Sequence, residues 1–389
     1  MLRAQVPAEL VWASVTRPPV PLVYLDLNHY IQLAKARRAA NGQTGEDGRP
    51  IKVLPGYAEL LAAARLAKAE RRAMFPLSAV HFIEVQNRVP SPRQRRHVAD
   101  VMEEFSGFVY LLGRPFLVQM EISAGLDKVY GIPASYVPMP LLHNSVSAAF
   151  GRHGGFRFVD EHGNDAERQR REEVGDEEYE RQMAEMNYMA ERRLLEGPQD
   201  SQLAYLRTLG YAPETYEVGV QSRLDFERQT SMILENDPQW RRNGRLRDVI
   251  FARDVGHEWI ELFVRHLQQR EEDGFRHDEP EAPDLVALWA AMPQVQVAVS
   301  MKAHYHRDPA RGWKTNDIAD VDALAVAYAY CDAVLTDRQA RAALTDSPDL
   351  RGFGAHLPAS VTEMTTWLND LPPVPNPDQH VFHPLPRSG

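Results

Sequence analysis

An α/β fold is what the sequence predicts: a parallel sheet with helices on both faces, interrupted by an α-helical insertion. Three observations point there. The apolar runs LVYL (22–25), AMFPLS (73–78) and DAVLT (332–336) lack alternation and read as short buried strands. Each is followed by a segment of helical period. Between about 131 and 310 the alternation stops, and long helical segments take over.

The elements follow in order. Pro18, Pro19 and Pro21 delay regular structure until Leu22. LVYL then forms the first strand, and Asp26 stands at its end. In the next helix Leu27, Tyr30, Ile31 and Ala34 recur at i, i+3, i+4 and i+7 and face inward. Lys35 and Arg38 face outward. NGQTGEDGRP (41–50) is a polar, glycine-rich loop. PGYAELLAAARLAKAERR (55–72) is a helix rich in Ala and Leu, with Pro55 suited to its first turn. AMFPLS is the second strand, and Ser78 caps the helix AVHFIEVQNR (79–88). SPRQRRHVADVMEEFSG (91–107) is helical and basic at its start; FVYLLG after it reads either as a strand or as the end of that element.

Within 131–310, loops such as GIPASYVPMPLL and GRHGGFRFVDEHG alternate with helices. Residues 165–197 are mostly charged, with the sparse apolar positions of a solvated helical arm or hairpin. His304 and His306 (AHYHRD) have metal-like spacing on a strand, but no third His or Cys lies nearby. GHEWIELFVRH has no His four after His257 and is not an H-E-x-x-H helix. From 313 the alternation resumes: the helix WKTNDIADVDALAVAYAY, the strand DAVLT, and the helices DRQARAAL and SVTEMTTWLND. Residues 371–389 are an irregular, Pro-rich tail.

Composition bounds the function. The chain has 389 residues, 44% of them hydrophobic, enough for one large domain or two ordinary ones. One cysteine, Cys331, excludes an internal disulfide framework and a thiolate-rich zinc site. No apolar run approaches the roughly 20 residues that span a bilayer, and the N-terminus lacks the apolar stretch of a secretory signal. A soluble, cytoplasmic protein is expected. A net charge of −10 argues against a nucleic-acid coat protein, yet leaves room for a nuclease with a local basic groove.

The candidate chemistry is acidic. Asp26 ends the first strand and Asp337 the last; Asp317 and Asp320 open the helix before that last strand. Glu84 shares a helix face with Val80, Ile83 and Asn87, and a carboxylate on such a stripe needs a partner. In open α/β sheets, ligands bind beyond the carboxyl ends of the strands. Asp317 and Asp320 lie on one side of their helix, whereas Asp322 lies about 200° from Asp320 at ~100° per residue. Asp320, with Asp317 in support, is therefore preferred. Carboxylates gathered without thiolates define a hard-oxygen site for one or two Mg²⁺ or Mn²⁺ ions. Such ions activate water and neutralise charge on a phosphodiester. Cations flank every acidic motif: Lys35, Arg37 and Arg38; Arg88, Arg93, Arg95 and Arg96; Arg307, Arg311 and Lys314; Arg338 and Arg341. Together they would form a rim for a phosphate backbone. Each acid also has an ordinary reading. Asp26 and Asp337 suit helix N-caps, Glu84 suits an i,i+4 pair with Arg88, and Asp317 and Asp320 suit a first helical turn.

Three pieces, VYLDLNHYIQLAKA, PLSAVHFIEVQNR and NDIADVDALAVAYAYCDAVLTDR, resemble the PIN-like nuclease family in their order and context. That family's bacterial ribonucleases place a Thr at a similar distance after the third acid; here Thr336 follows Asp320 by 16 positions. The resemblance implies a PIN-like (Rossmannoid) parallel-sheet domain over 20–130 and 311–370, with 131–310 inserted. It implies metal ligation by Asp26, Glu84, Asp320 and Asp337, with Asp317 as an additional ligand or supporting partner. Asn28 and Thr336 would orient the ligands. It further implies cleavage of RNA, less often DNA, frequently in bacterial toxin or defence roles held in check by an inhibitory or regulatory protein partner. A DNA endonuclease and a non-catalytic scaffold binding nucleic acid or protein are the alternatives. The long helical block departs from the family pattern.

Overall fold

The short apolar runs do pair, but over two or three residues only. The computed structural model describes residues 10–45, 47–153, 159–208, 212–275 and 280–373, so the tail expected over 371–389 lies almost wholly outside the described residues. Strand β1 (Val15–Thr16) runs parallel to β4 (Met139–Pro140), and β2 (Val23–Leu25) parallel to β6 (Ala333–Leu335). β3 (Tyr110–Leu111) is antiparallel to β5 (Leu142–His143). Isolated bridges join Leu22 to Met74, Leu77 to Tyr110 and Ala333 to His356.

Among the described residues helix accounts for 65% and strand for 6%. The expected parallel-sheet, PIN-like (Rossmannoid) α/β domain is therefore overturned: the protein is mainly helical, with small two-stranded sheets among the described residues. The physical reason lies in what fills the core. Thirteen of the fourteen residues of the helix Pro293–His306 are buried, as are thirteen of the sixteen in Thr315–Tyr330. Helices covered on every face take the central place a sheet would hold. AMFPLS joins its neighbours only through the isolated Leu22–Met74 and Leu77–Tyr110 bridges, because Pro76 between them has no N–H to carry a ladder. His304 and His306, expected on a strand, end the Pro293–His306 helix instead.

The β2–β6 ribbon still organises its surroundings. Leu22 and Tyr24 belong to one apolar cluster and Val23 and Leu25 to another, the period-2 alternation of a strand between two cores. Val118, Ile122 and Leu126 form a third cluster with Ile250, Trp259 and Phe263 of the helical block. Among the described residues no single helix is long and apolar enough to cross a membrane. Ala282–Ala291 and Pro293–His306 pass that test only as a pair bent by 81°.

One buried acid ties the helices together. Glu121, fully buried, accepts from Tyr330 Oη at 2.5 Å, from Gln294 Nε2 at 3.2 Å and from the Gln294 backbone N–H at 3.3 Å. Burial raises its pKa from 4.5 to about 8. A raised folded pKa means the associated stability is complete below pH 4.5 and lost as pH climbs towards 8. Glu121→Gln is expected to remove that decline. Its amide could donate to Gln294 Oε1, a buried acceptor with no partner. Urea melts at pH 5.5 and 8.5 check this: between the two, wild type loses on the order of 1–3 kcal/mol more than the variant, whose remaining loss comes from Glu84 and Asp320.

Candidate metal centre

The parallel register of β2 and β6 brings their ends side by side. Leu25 pairs with Leu335, and the Asp26 N–H donates to the Leu335 carbonyl at 3.0 Å. Thr336 Oγ1 then donates to Asp26 Oδ2 at 3.2 Å. Both strand-end acids also cap helices. Asp26 Oδ1 accepts from the Asn28 N–H at 3.2 Å, and Asp337 Oδ1 from the Gln339 and Ala340 N–H groups at 2.8 and 2.9 Å. In Asp337 capping engages Oδ1 alone, so a cap and a ligand are compatible roles for one carboxylate.

Glu84 reaches the same region from the helix Ala79–Arg88, where Ser78 forms the N-terminal capping box with His81. Its Oε1 accepts from Arg88 Nη1 at 2.7 Å, and Arg88 Nη2 donates to Asn28 Oδ1 at 3.2 Å. Arg88 thus links Glu84 to the first turn beyond Asp26. Asp320 accepts from Asn316 Nδ2 at 3.1 Å. Asp317 is differently placed: its oxygens take Arg311 Nη2 at 2.6 Å and the Lys314 N–H at 2.8 Å. It fixes the start of its helix and holds Arg311.

The four carboxylates feel one another. Burial raises Glu84 from 4.5 to about 7; the charges of Asp26 and Asp337 add to this, and Arg88 opposes it. Burial raises Asp320 from 3.8 to about 8, reinforced by Asp26, Asp337 and Glu84. Among the described residues Arg88 is the one cation hydrogen-bonded to any of the four. No three of them bring oxygens within 4.8 Å of one another. The donor set, three buried carboxylates and the half-buried Asp337 with little cationic compensation, fits a hard divalent ion.

The expected cationic rim is thinner than the sequence implies. Arg38 is held by Gln43 Oε1 and the Thr44 carbonyl. Arg311 pairs with Asp317 and stacks 3.9 Å over Tyr305. Arg95 is buried against the carbonyls of Glu196 and Pro198. Lys314 and Arg338 are exposed, and Lys35 is half-buried. A cavity of about 610 Å³ reaches Glu84 and Arg88; Asn316 lines one side and Tyr216 and Val220 of the helix Pro213–Asn236 the other.

Two residues escaped the sequence reading. His29, one turn beyond Asp26, is buried, with Nδ1 2.9 Å from Tyr57 Oη. Burial lowers its pKa, while Asp26, the Thr336 carbonyl and Asp337 act in the opposite sense. Tyr305 brings a buried, unpartnered hydroxyl into the field of Asp320, Asp317 and Asp337. The stretch LDLNHY offered a signal for His29; nothing in the sequence ties Tyr305 to the acids.

A second acidic group, Glu227, Asp254 and Glu258, does place its oxygens within 4.8 Å of one another. Its centre is filled. Lys302, 1% exposed, donates Nζ to Glu227 at 3.0 Å, to Glu258 at 2.5 Å and to Asp254. Arg114 and Arg223 bridge Glu258 and Asp322. An ammonium occupies the position an ion would need, so this is a buried ion-pair network. Asp322 belongs to it: burial is outweighed by Arg223 and Arg114, which hold its carboxyl below the ordinary value. His306 belongs too, 2.8 Å from Glu227.

No family model, curated protein or solved structure matches the chain.

Proposed function

We propose that the chain is a metal-dependent endoribonuclease, acting in the cytoplasm, with Asp26, Glu84, Asp320 and Asp337 holding Mg²⁺ or Mn²⁺. The observation that carries this reading is the gathering in one region of the buried Asp26, Glu84 and Asp320 and the half-buried Asp337, from separate stretches of chain, compensated directly by Arg88 alone among the described residues. The resemblance of the acid order to PIN-like nucleases supports the same residues, although the expected sheet is not formed. A bound divalent ion would lower the pKa of water and neutralise charge on a phosphodiester. The chain's own groups prepare the site. Thr336 fixes Asp26, Arg88 fixes Glu84 and Asn28, and Asn316 fixes Asp320. Lys314 and Arg338, which are exposed, and Lys35, which is half-buried, would meet backbone phosphates.

Asp26→Asn and Asp337→Asn test the reading cleanly, because Asn caps a helix as well as Asp does. Each variant should melt like wild type and lose Mn²⁺-dependent RNA cleavage by on the order of 100-fold or more. Retained cleavage in purified variants would sink the proposal. Cleavage of DNA in place of RNA would keep the chemistry and change the substrate. Absence of both cleavage and any melting shift with Mn²⁺ or Mg²⁺ would favour a non-catalytic scaffold.

A further inference from the structure

A second cavity, of about 510 Å³, lies against the helix Ala79–Arg88. Ile83 and Tyr216 line both it and the cavity that reaches Glu84, so the two adjoin. Its wall includes Ser78 and Ala79 from the start of that helix, Arg114 from the start of Arg114–Tyr130, and Trp259 from the π-helical turn Val255–Trp259. A π turn interrupts regular helical bonding and recurs at functional sites.

The polar groups of this wall are specific. The Arg114 guanidinium sits 4.5 Å over the Trp259 ring. Its Nη atoms go to Asp322 and Glu258, and its Nε–H is buried with no acceptor. Trp259 is 6% exposed, and its indole N–H is likewise buried without an acceptor. Both N–H groups are closed to solvent, so the wall around them must open slightly before a ligand can accept from either. The remaining wall is mixed: Val80, Phe150 and Tyr216 give it apolar and aromatic surface, and Arg223, His257 and Arg265 are polar. Glu258 and Asp322 pair with Arg114 and Arg223, so these four charges of the wall offset one another. What fits is a flat, uncharged ring with acceptors on its edge.

We propose that this cavity takes an unpaired nucleobase of the strand whose phosphate lies at the acidic centre. The proposal rests on the nuclease reading and narrows it to single-stranded substrate, because a base within a duplex cannot leave its stack to enter a cavity without the cost of unpairing. Stacking on aromatic side chains and edge contacts to Arg114 and Trp259 would hold the base.

The test begins with the metal-free full chain, titrated calorimetrically with the four nucleoside 5′-monophosphates. At least one should bind. Trp259→Phe, which removes the indole N–H and keeps most of the apolar body, should weaken it about tenfold. Val80→Trp, which fills the cavity from another wall, should abolish it, and serves alone if Trp259→Phe fails to fold. Single-stranded RNA should be cut in preference to duplex. Absence of monophosphate binding, binding unchanged in the variants, or equal cleavage of duplex would overturn the proposal. The two readings fail separately. Cleavage without monophosphate binding removes the base pocket and keeps the nuclease. Monophosphate binding lost in Val80→Trp, with no cleavage by wild type, keeps the pocket and removes the nuclease.

Discussion

Asp320→Asn is expected to stabilise the metal-free protein while abolishing its response to Mn²⁺. Asp320 is buried and receives one side-chain hydrogen bond, from Asn316. Burial and the charges of Asp26, Asp337 and Glu84 all disfavour its ionised form. An amide of the same size has no charge to bury and still accepts from Asn316. Removing the cost of keeping this buried carboxyl protonated near neutral pH should stabilise on the order of 1–3 kcal/mol, a rise in Tm of a few degrees for a chain this long. The same change removes a ligand, so the melting shift that Mn²⁺ gives wild type should vanish. Stability gained where function is lost marks a residue kept for its chemistry. Thermal melts with chelator and with Mn²⁺ read both effects. A lower Tm in chelator would make Asp320 a structural residue.

Lys302→Met is expected to be the most damaging single change in the helical block. Lys302 is 1% exposed and donates to Glu227, Asp254 and Glu258. Methionine fits the space but leaves three carboxylates facing one another, with Arg114 and Arg223 reaching only Glu258. Breaking a buried pair in this way costs about 3–5 kcal/mol. Urea unfolding should show a midpoint far below wild type, or no folded protein at all. A wild-type midpoint would mean that the three acids do not depend on the ammonium, and would reopen this cluster as an ion site.

Local chemistry was legible in the sequence; long-range chemistry was not. Ser78, Asp26 and Asp337 announce helix starts, and each caps the helix expected of it. LVYL and DAVLT pair as parallel strands in a register that sets Asp26 beside Thr336. The larger sheet inferred from them was wrong, because three-residue strands and Pro76 leave no ladder to extend. The helix Pro293–His306 shows why helical content was underestimated around AHYHRD. With nearly every residue buried it has no polar face, and without one the 3.6-residue period cannot be seen. Asp26, Glu84, Asp320 and Asp337 could be named as candidates because each sits at a defined place on its own element. The preference for Asp320 over Asp322 followed from helical geometry, and Asp322 does turn away to Arg114 and Arg223. Lys302 and Tyr305 join their acids through contacts between distant helices, which no local pattern records.

The central claim is that Asp26, Glu84, Asp320 and Asp337 hold a divalent ion. Anomalous scattering from crystals grown with Mn²⁺ tests it most directly. The account predicts a manganese peak among these four carboxylates, absent from crystals of Asp320→Asn. No peak there at saturating Mn²⁺, or a peak instead among Glu227, Asp254 and Glu258, would contradict it.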